Sequence, residues 1–299
     1  MDLAALTVFR TVARERSVTR AAELLDRAPS NVTTRIQQLE AEIGIALFQR
    51  DKRRMDLTAE GATYLDYAER ILNLADEAQQ VVNPTEPLGT LRIGTMEATA
   101  AARLPMPLAH FSAEYSDVTL EVSTGPTQHL LGELSARRID CAFIAVPEGD
   151  WWVSPTEVDR TPIFREELIL LLPPGHPPID GPDDIRPAGL AAFRSGCTYR
   201  MLAEEWIAAG ASKRTKKHVQ EVGSYHAILA CTAAGSCFSV VPQSVLDIMP
   251  NASAFTQKRL MRADTWLATR PGFKTPAFEA FLAELLKSSD LSADDHAAT

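Results

Sequence analysis

The sequence predicts an α/β chain led by an all-α unit that carries one short basic hairpin. Three observations predict it. Two short helix-forming stretches joined by a polar turn fill Ser17 to Gln49, a long helix with two apolar series fills Thr58 to Val82, and strand and helix signals alternate from Leu91 onward.

The first helix runs from Leu3 to Glu15 and turns Leu6, Phe9, Val12 and Ala13 to one side. Thr19 is the expected N-cap of the next, Arg20 to Asp26, because its hydroxyl can accept from a free first-turn amide. Arg27-Ala28-Pro29 breaks that helix, since proline cannot continue it, and Ser30 is expected to cap the third. There Val32, Ile36, Leu39 and Ile43 recur at helical spacing and form one apolar stripe. About half a turn away lie Ser30, Thr33, Thr34, Gln37 and Gln38, with Asn31 to one side and Arg35 flanking. Hydroxyls and amides both donate and accept, so this face can read base edges in a major groove or bond phosphate oxygens. An ordinary solvated helix face would look the same, and on this helix alone the two readings stay open.

Leu47-Phe48, then Gln49 to Arg54, then Met55-Asp56-Leu57 reads as an apolar-basic-apolar β-wing. Its tip would present Arg50, Lys52, Arg53 and Arg54 to phosphates. Three helices and a wing make a winged helix-turn-helix. Thr58 is the expected cap of the long helix. On it Tyr64, Tyr67, Ile71, Leu74, Ala78 and Val81 form one heptad series, and Leu65, Ala68, Leu72, Ala75, Gln79 and Val82 a second. Two adjacent apolar stripes need two partners, the helix's own domain and a second chain, which predicts a homodimer.

A chain of 299 residues with a hydrophobic share of 45% can bury a sizeable core, and it has no apolar run of membrane-spanning length. Its opening residues form a helix rather than a secretory signal, and Cys141, Cys197, Cys231 and Cys237 lack CxxC spacing. Both features point to the cytoplasm. The net charge is −9, yet residues 1–60 hold ten Lys or Arg against nine Asp or Glu, so the excess acid lies downstream. Phosphate attraction is local because screening acts over about 10 Å at moderate salt, so a basic wing works on an acidic protein.

Asn83 to Gly89 ends the long helix with two prolines and a glycine. Strands are then expected at Leu91–Gly94, Val118–Val122 and Asp140–Ile144, with helices at Ala98–Tyr115 and Gln128–Arg138. The rhythm restarts near Pro162 with strands at Glu167–Leu172, Leu190–Phe193, Val219–Val222 and Cys237–Val241, and helices at Met201–Ala209 and Tyr225–Ala234. A strand at Thr265–Thr269 and a helix at Pro276–Leu286 are expected to return to the first lobe. Such βαβ alternation implies parallel sheets with helices on their faces.

The run of Phe9, Ala13, Ser17, Ala21, Ala22, Leu25, Pro29 to Thr33, Ile36, Leu39, Glu40, Gly44, Leu47, Phe48, Arg50, Leu57, Thr58 and Gly61 resembles the LysR-type transcriptional regulators. The similarity is close over the N-terminal part, and length and layout extend it over nearly the whole chain. Where the family commonly has Gln-Pro-Ala-Val-Ser-Arg, this chain has Pro29, Ser30, Asn31, Val32, Thr33 and Thr34, so the usual arginine is a threonine with Arg35 one step later. PSNVTTRIQQLE and GCTYR are similar to the enteric regulators of putrescine and amino-acid catabolism. The resemblance implies a periplasmic-binding-protein-like two-lobed effector domain behind the DNA-binding unit. It also implies promoter DNA as partner, with Ser30, Asn31, Thr33, Thr34, Arg35, Gln38, Arg50, Lys52, Arg53 and Arg54 as contacts. A homotetramer is its expected working form, and RNA polymerase is a candidate partner. The expected layout is a DNA-binding domain at 1–60, a dimerisation helix at 58–82 and a hinge at 83–90. Lobe I follows at 91–160 with 265–287 returning, then lobe II at 161–264 and a disordered tail at 288–299.

In parallel sheets ligands sit at the carboxyl ends of strands. That rule selects Thr95, Met96, Glu97, Ala98 and Thr99, then Ser123, Thr124 and Gly125, then Arg194, Ser195, Gly196, Cys197, Thr198 and Tyr199, and Ser224 with Tyr225. Glu97 has a plain use as a first-turn helix anion. Facing a cleft, it would instead favour a cationic group such as the amine of a polyamine or amino acid. Arg194 suits a carboxylate or bulk water equally, and Tyr199 and Tyr225 suit ligand stacking or the core. No Gly-rich phosphate loop, HExxH or GxSxG occurs and the six histidines are scattered, so neither an enzyme, a cofactor nor a metal site is expected. The alternative trigger is oxidation of Cys197 with Cys231 or Cys237.

Overall fold

The computed structural model describes residues 2–51, 54–82, 86–148, 157–210 and 217–289, and the expected disordered tail lies mostly outside them. The chain folds as two compact units, Met1–Asn83 and Pro84–Thr299.

In the first unit helices α1 (Leu3–Glu15), α2 (Val18–Leu24) and α3 (Pro29–Ile43) precede strands β1 (Phe48–Asp51) and β2 (Arg54–Leu57), and α4 (Ala59–Val82) follows. The cap of α2 is Ser17, whose hydroxyl accepts from the Arg20 amide at 3.3 Å, not Thr19. Ser17 sits in extended backbone one residue before the first helical turn, where a side-chain oxygen reaches the free amides. Ser30 likewise does not cap α3. Pro29 occupies the first helical position, where its missing N–H costs nothing, and Ala28 stands before it without a side-chain bond. Thr58 caps as expected: its Oγ1 accepts from Gly61 N–H at 2.8 Å while its hydroxyl donates to Ala46 O at 2.9 Å.

Phe9, Val12, Val32, Ile36, Leu39, Leu47 and Phe48 form the buried core, with the Phe9 ring edge-on to Phe48 and Tyr64. The Glu40 carboxylate accepts from the amides of Leu47 (2.7 Å) and Phe48 (3.1 Å), which ties the end of α3 to the start of the wing. On α4, Ala68 and Leu72 of the second heptad series are buried in this core. Tyr67, Leu74, Val81 and Val82 remain exposed, Val82 at 80%.

The second unit begins with β3 (Gly89–Thr95), α5 (Glu97–Ala102), α6 (Pro105–Glu114), β4 (Val118–Thr124), α7 (Thr127–Ser135), β5 (Cys141–Pro147) and β6 (Asp159–Phe164). It continues with β7 (Glu167–Leu172), β8 (Gly189–Ala192), α8 (Thr198–Gly210), β9 (His218–Glu221), α9 (Tyr225–Ala233), β10 (Cys237–Pro242), α10 (Gln243–Ile248), β11 (Thr256–Thr269) and α11 (Pro276–Lys287). Among the described residues nine strands join in the order β4-β3-β5-β11-β7-β10-β8-β9, with β6 also on β11. The parallel neighbours β4-β3-β5 build one lobe and the parallel neighbours β10-β8-β9 the other.

Two strands cross between the lobes. The 14-residue β11 pairs with β7 through Thr256–Arg262 and with β5 through Ala263–Thr269. It is far longer than the expected Thr265–Thr269, because residues 256–259 alternate half-exposed and exposed with polar side chains and 260–262 are only half-buried. The other crossing runs from β6, which pairs with β11 in lobe I, through Arg165-Glu166 into β7. Residues 161–164 therefore belong to lobe I rather than lobe II. Pro162 hid this strand, and the structure tolerates it because β6 pairs only along β11. The helix expected over Ala98–Tyr115 is two, since Pro105 starts a new one after Leu104. At the crossing, Glu166 is 2% exposed and accepts from Arg103 Nε at 2.8 Å. No helix among the described residues is long and apolar enough to cross a membrane.

Candidate nucleic-acid face and effector cavity

On α3 the stripe Val32, Ile36 and Leu39 is buried, which turns Ser30, Asn31, Thr33, Thr34, Gln37 and Gln38 out to solvent. Thr33 donates its hydroxyl to Pro29 O at 3.0 Å, so one of its bonding positions is used within the helix. Arg35 differs from the others. It is half-buried and pairs with Asp2, whose other oxygen accepts from the Ala5 amide at 2.7 Å. That amide first, and Arg35 second, hold the Asp2 carboxyl below the usual carboxylate range. The arginine thus ties α3 to the start of α1. Arg50 lies on β1 opposite Met55, and Arg54 is exposed on β2 opposite Asp51. Lys52 and Arg53 lie outside the described residues. Gly61 lets α4 approach this region closely, for a Cβ there would lie 2.0 Å from Leu47 O.

Between the lobes of the second unit lies a cavity of about 450 Å³. Its lobe I wall is Met96, Glu97, Ala98, Thr124, Gly125, Pro126 and Thr127, and its lobe II wall is Phe193, Arg194, Cys197, Thr198, Tyr199, Glu221, Val222, Gly223 and Tyr225. Of the residues selected from strand ends, Met96, Glu97, Ala98, Thr124, Gly125, Arg194, Cys197, Thr198, Tyr199 and Tyr225 line it. Others sit elsewhere. Thr95 and Thr99 are buried, with the Thr95 hydroxyl donating to Met96 O at 3.1 Å. Ser123 is exposed on β4, and Ser195 lines a neighbouring hollow with Gln128. Ser224 caps α9 by accepting from the Ala227 amide at 3.2 Å. The lining residues missed are Pro126 and Thr127 at the start of α7, Phe193 just after β8, and Glu221, Val222 and Gly223, which close β9 and follow it, where the strand-end rule finds them once that strand's end is placed.

Glu97 is half-buried, and burial pushes its carboxyl above the usual range against the smaller pull of the Tyr225 amide and the His226 charge. No Lys or Arg among the described residues pairs with it. Glu221 is neutralised by Arg200, whose guanidinium donates to it at 2.6 Å. Arg194 is exposed at the cavity wall and has no acidic partner among the described residues. Tyr199 and Tyr225 are both 4% exposed, and Tyr225 stacks edge-on against Phe193 at 5.0 Å between centroids. Both tyrosines are therefore wall rather than free stacking platforms. The lobes also touch at Gly196, whose carbonyl accepts from the Gln128 amide at 3.3 Å. Its φ of +92° favours glycine, and a Cβ there would meet Gln128 at 3.2 Å.

Cys197 lies at this carboxyl edge, and burial raises its thiol pKa, which disfavours the reactive thiolate. Cys231 and Cys237 share a different neighbour: the Gln220 carboxamide donates to Cys231 at 3.3 Å and accepts from Cys237 at 3.2 Å. Cys237 is level with Gly189 at the start of β8, and all four cysteines are free. Among the described residues no group of three or more His, Cys, Asp or Glu is placed to hold a metal ion.

An outward hydroxyl-amide helix beside a basic wing, followed by a two-lobed unit with a cavity between its lobes, defines a ligand-responsive DNA-binding regulator. The comparisons give the family. Residues 3–62 match the bacterial regulatory helix-turn-helix protein, lysR family, and residues 84–290 match the LysR substrate binding domain. The chain belongs to the LysR-type transcriptional regulators and is not an enzyme. It is similar to the HTH-type transcriptional regulator GltR of Bacillus subtilis, at 32% identity over 95% of this chain and 96% of the relative. It is also 32% identical to YofA of Bacillus subtilis, over 83% of each. Its fold is like that of full-length CbnR complexed with target DNA, with a TM-score of 0.66 at 21% identity over 97% of this chain and 100% of that one. A full-length OxyR variant from Pseudomonas aeruginosa gives 0.68 at 21% identity over 98% and 96%.

Proposed function

We propose that this regulator acts on promoter DNA in the cytoplasm and responds to a small molecule bearing an amine, a polyamine or an amino acid, held between its lobes by Glu97. One observation carries the effector class: Glu97 is a half-buried carboxylate in the interlobe cavity without a Lys or Arg partner among the described residues. Desolvating an anion is unfavourable, and the Tyr225 amide and nearby His226 offset only part of that cost, so a cationic group of the ligand supplies the rest. This supports the subgroup similarity to putrescine and amino-acid regulators read from the sequence. On the DNA side the outward residues of α3 read base edges, and Arg50, Lys52, Arg53 and Arg54 contact backbone. The exposed Tyr67, Ile71, Leu74, Val81 and Val82 stripe of α4 joins two chains, and two such dimers form the working tetramer.

Thermal melting of the full chain with putrescine, longer polyamines and amino acids tests the effector. Ligand at a hundredfold excess over its dissociation constant adds about 2.7 kcal/mol of apparent stability. The gain should vanish in Glu97→Gln. Stabilisation by carboxylates alone, unaffected by that change, would refute the amine reading. For the DNA face, Thr34→Ala should cost about 1–3 kcal/mol of affinity for a site selected from random duplexes and leave non-specific binding unchanged. Equal loss on all sequences would remove Thr34 from base readout.

A further inference from the structure

We infer that the effector is a zwitterion, an α-amino acid whose ammonium is held by Glu97 and whose carboxylate is held by Arg194. This rests on the interlobe reading above and narrows it. Glu97 comes from the start of α5 in lobe I, and Arg194 from the loop after β8 in lobe II. Both line the same cavity of about 450 Å³. The charge inventory of that cavity is short. Glu221 already has Arg200, which leaves Glu97, met by the Tyr225 amide and the nearby His226 but by no Lys or Arg, and the Arg194 guanidinium, with no acidic partner among the described residues. A guanidinium presents a planar donor fork that matches a carboxylate in two parallel bonds. A simple amine would leave that fork unused, and a simple carboxylate would bring no cation to Glu97.

Each lobe contributes one charge, so a zwitterion links the lobes where an amine binds chiefly one. A ligand that prefers the lobes drawn together shifts their equilibrium by its differential affinity for that arrangement. Phe193, Val222 and Met96 supply an apolar lining for the side chain of the amino acid.

The test uses matched probes on the full chain in calorimetric titrations. Each proteinogenic amino acid that raises the melting temperature is compared with its decarboxylated amine and its deaminated acid, against wild type, Glu97→Gln and Arg194→Gln. The expected result is binding of at least one amino acid, weakened about tenfold or more by removal of either ligand charge. Arg194→Gln should weaken the amino acid by a similar factor and leave the decarboxylated amine unchanged, which identifies the pair by a double-mutant cycle. Amines binding as tightly as their parent amino acids, with Arg194→Gln silent, would overturn the zwitterion while the Glu97 reading stands. Deaminated acids binding as tightly as amino acids, insensitive to Glu97→Gln, would overturn both. Stabilisation by no amino acid at all also overturns this inference.

Discussion

The nucleic-acid face and the effector cavity are built in opposite ways. The face on α3 comes from one continuous stretch, Ser30 to Gln38, most of whose polar side chains stand in water, with Arg35 tied to Asp2. The cavity draws on the ends of β3, β4, β8 and β9 and the starts of α5, α7, α8 and α9, and it holds Glu97 partly out of water before any ligand arrives. A surface face costs little stability. A cavity with a carboxylate that no Lys or Arg meets costs more, because the charge is partly desolvated in the empty state.

The largest expected effect would separate the two regions. Gly61→Ala places a methyl group against the Leu47 carbonyl, backbone that cannot yield cheaply, and should destabilise the first unit by about 3 kcal/mol. DNA binding should fall while calorimetric ligand binding persists. Wild-type melting in that variant would show that α4 and the wing adjust freely. Next comes the latch between the lobes. Gly196→Ala meets both an unfavourable φ and the Gln128 side chain and should cost about 1–2 kcal/mol, with weakened effector binding and unchanged DNA affinity without effector. Full effector affinity in that variant would remove the latch from the binding mechanism.

Smaller effects sharpen the contrast. A carboxyl whose folded pKa is raised binds its proton more tightly in the folded state. Its contribution is therefore greatest below the unfolded pKa and is lost as pH rises through the folded one. Glu97→Gln should accordingly raise the melting temperature of the ligand-free protein slightly at neutral pH while removing the response to ligand. A lower melting temperature would assign Glu97 a structural role. Asp2 has the opposite sign. Its folded pKa is lowered, so its contribution exists above the unfolded carboxylate value and fades as pH falls through the folded one. Arg35→Ala should then cause a small loss of thermal stability at neutral pH that narrows in acid. A pH-independent loss would mean that the arginine acts through packing of its stem.

Local rules carried the sequence reading far in the first unit. The stripe Val32, Ile36 and Leu39 and the cap at Thr58 both follow from residues within a few positions of one another. The role of Arg35 was not legible, because its partner Asp2 is 33 residues away and only the packing of α1 against α3 joins them. In the second unit, strand ends are local features and led to Glu97, Arg194 and Tyr225. Pro162 disguised β6, and the half-exposed start of β11 carried no pattern to read.

By itself the sequence determined the element types, the family and the chemical character of the DNA-facing helix, since periodicity, caps and motif spacing are written in neighbouring residues. The tertiary structure alone decided how the charges are paired. Arg200 satisfies Glu221, Asp2 engages Arg35, and Glu97 shares a cavity with Arg194, because pairing is settled by which elements the packed fold brings together.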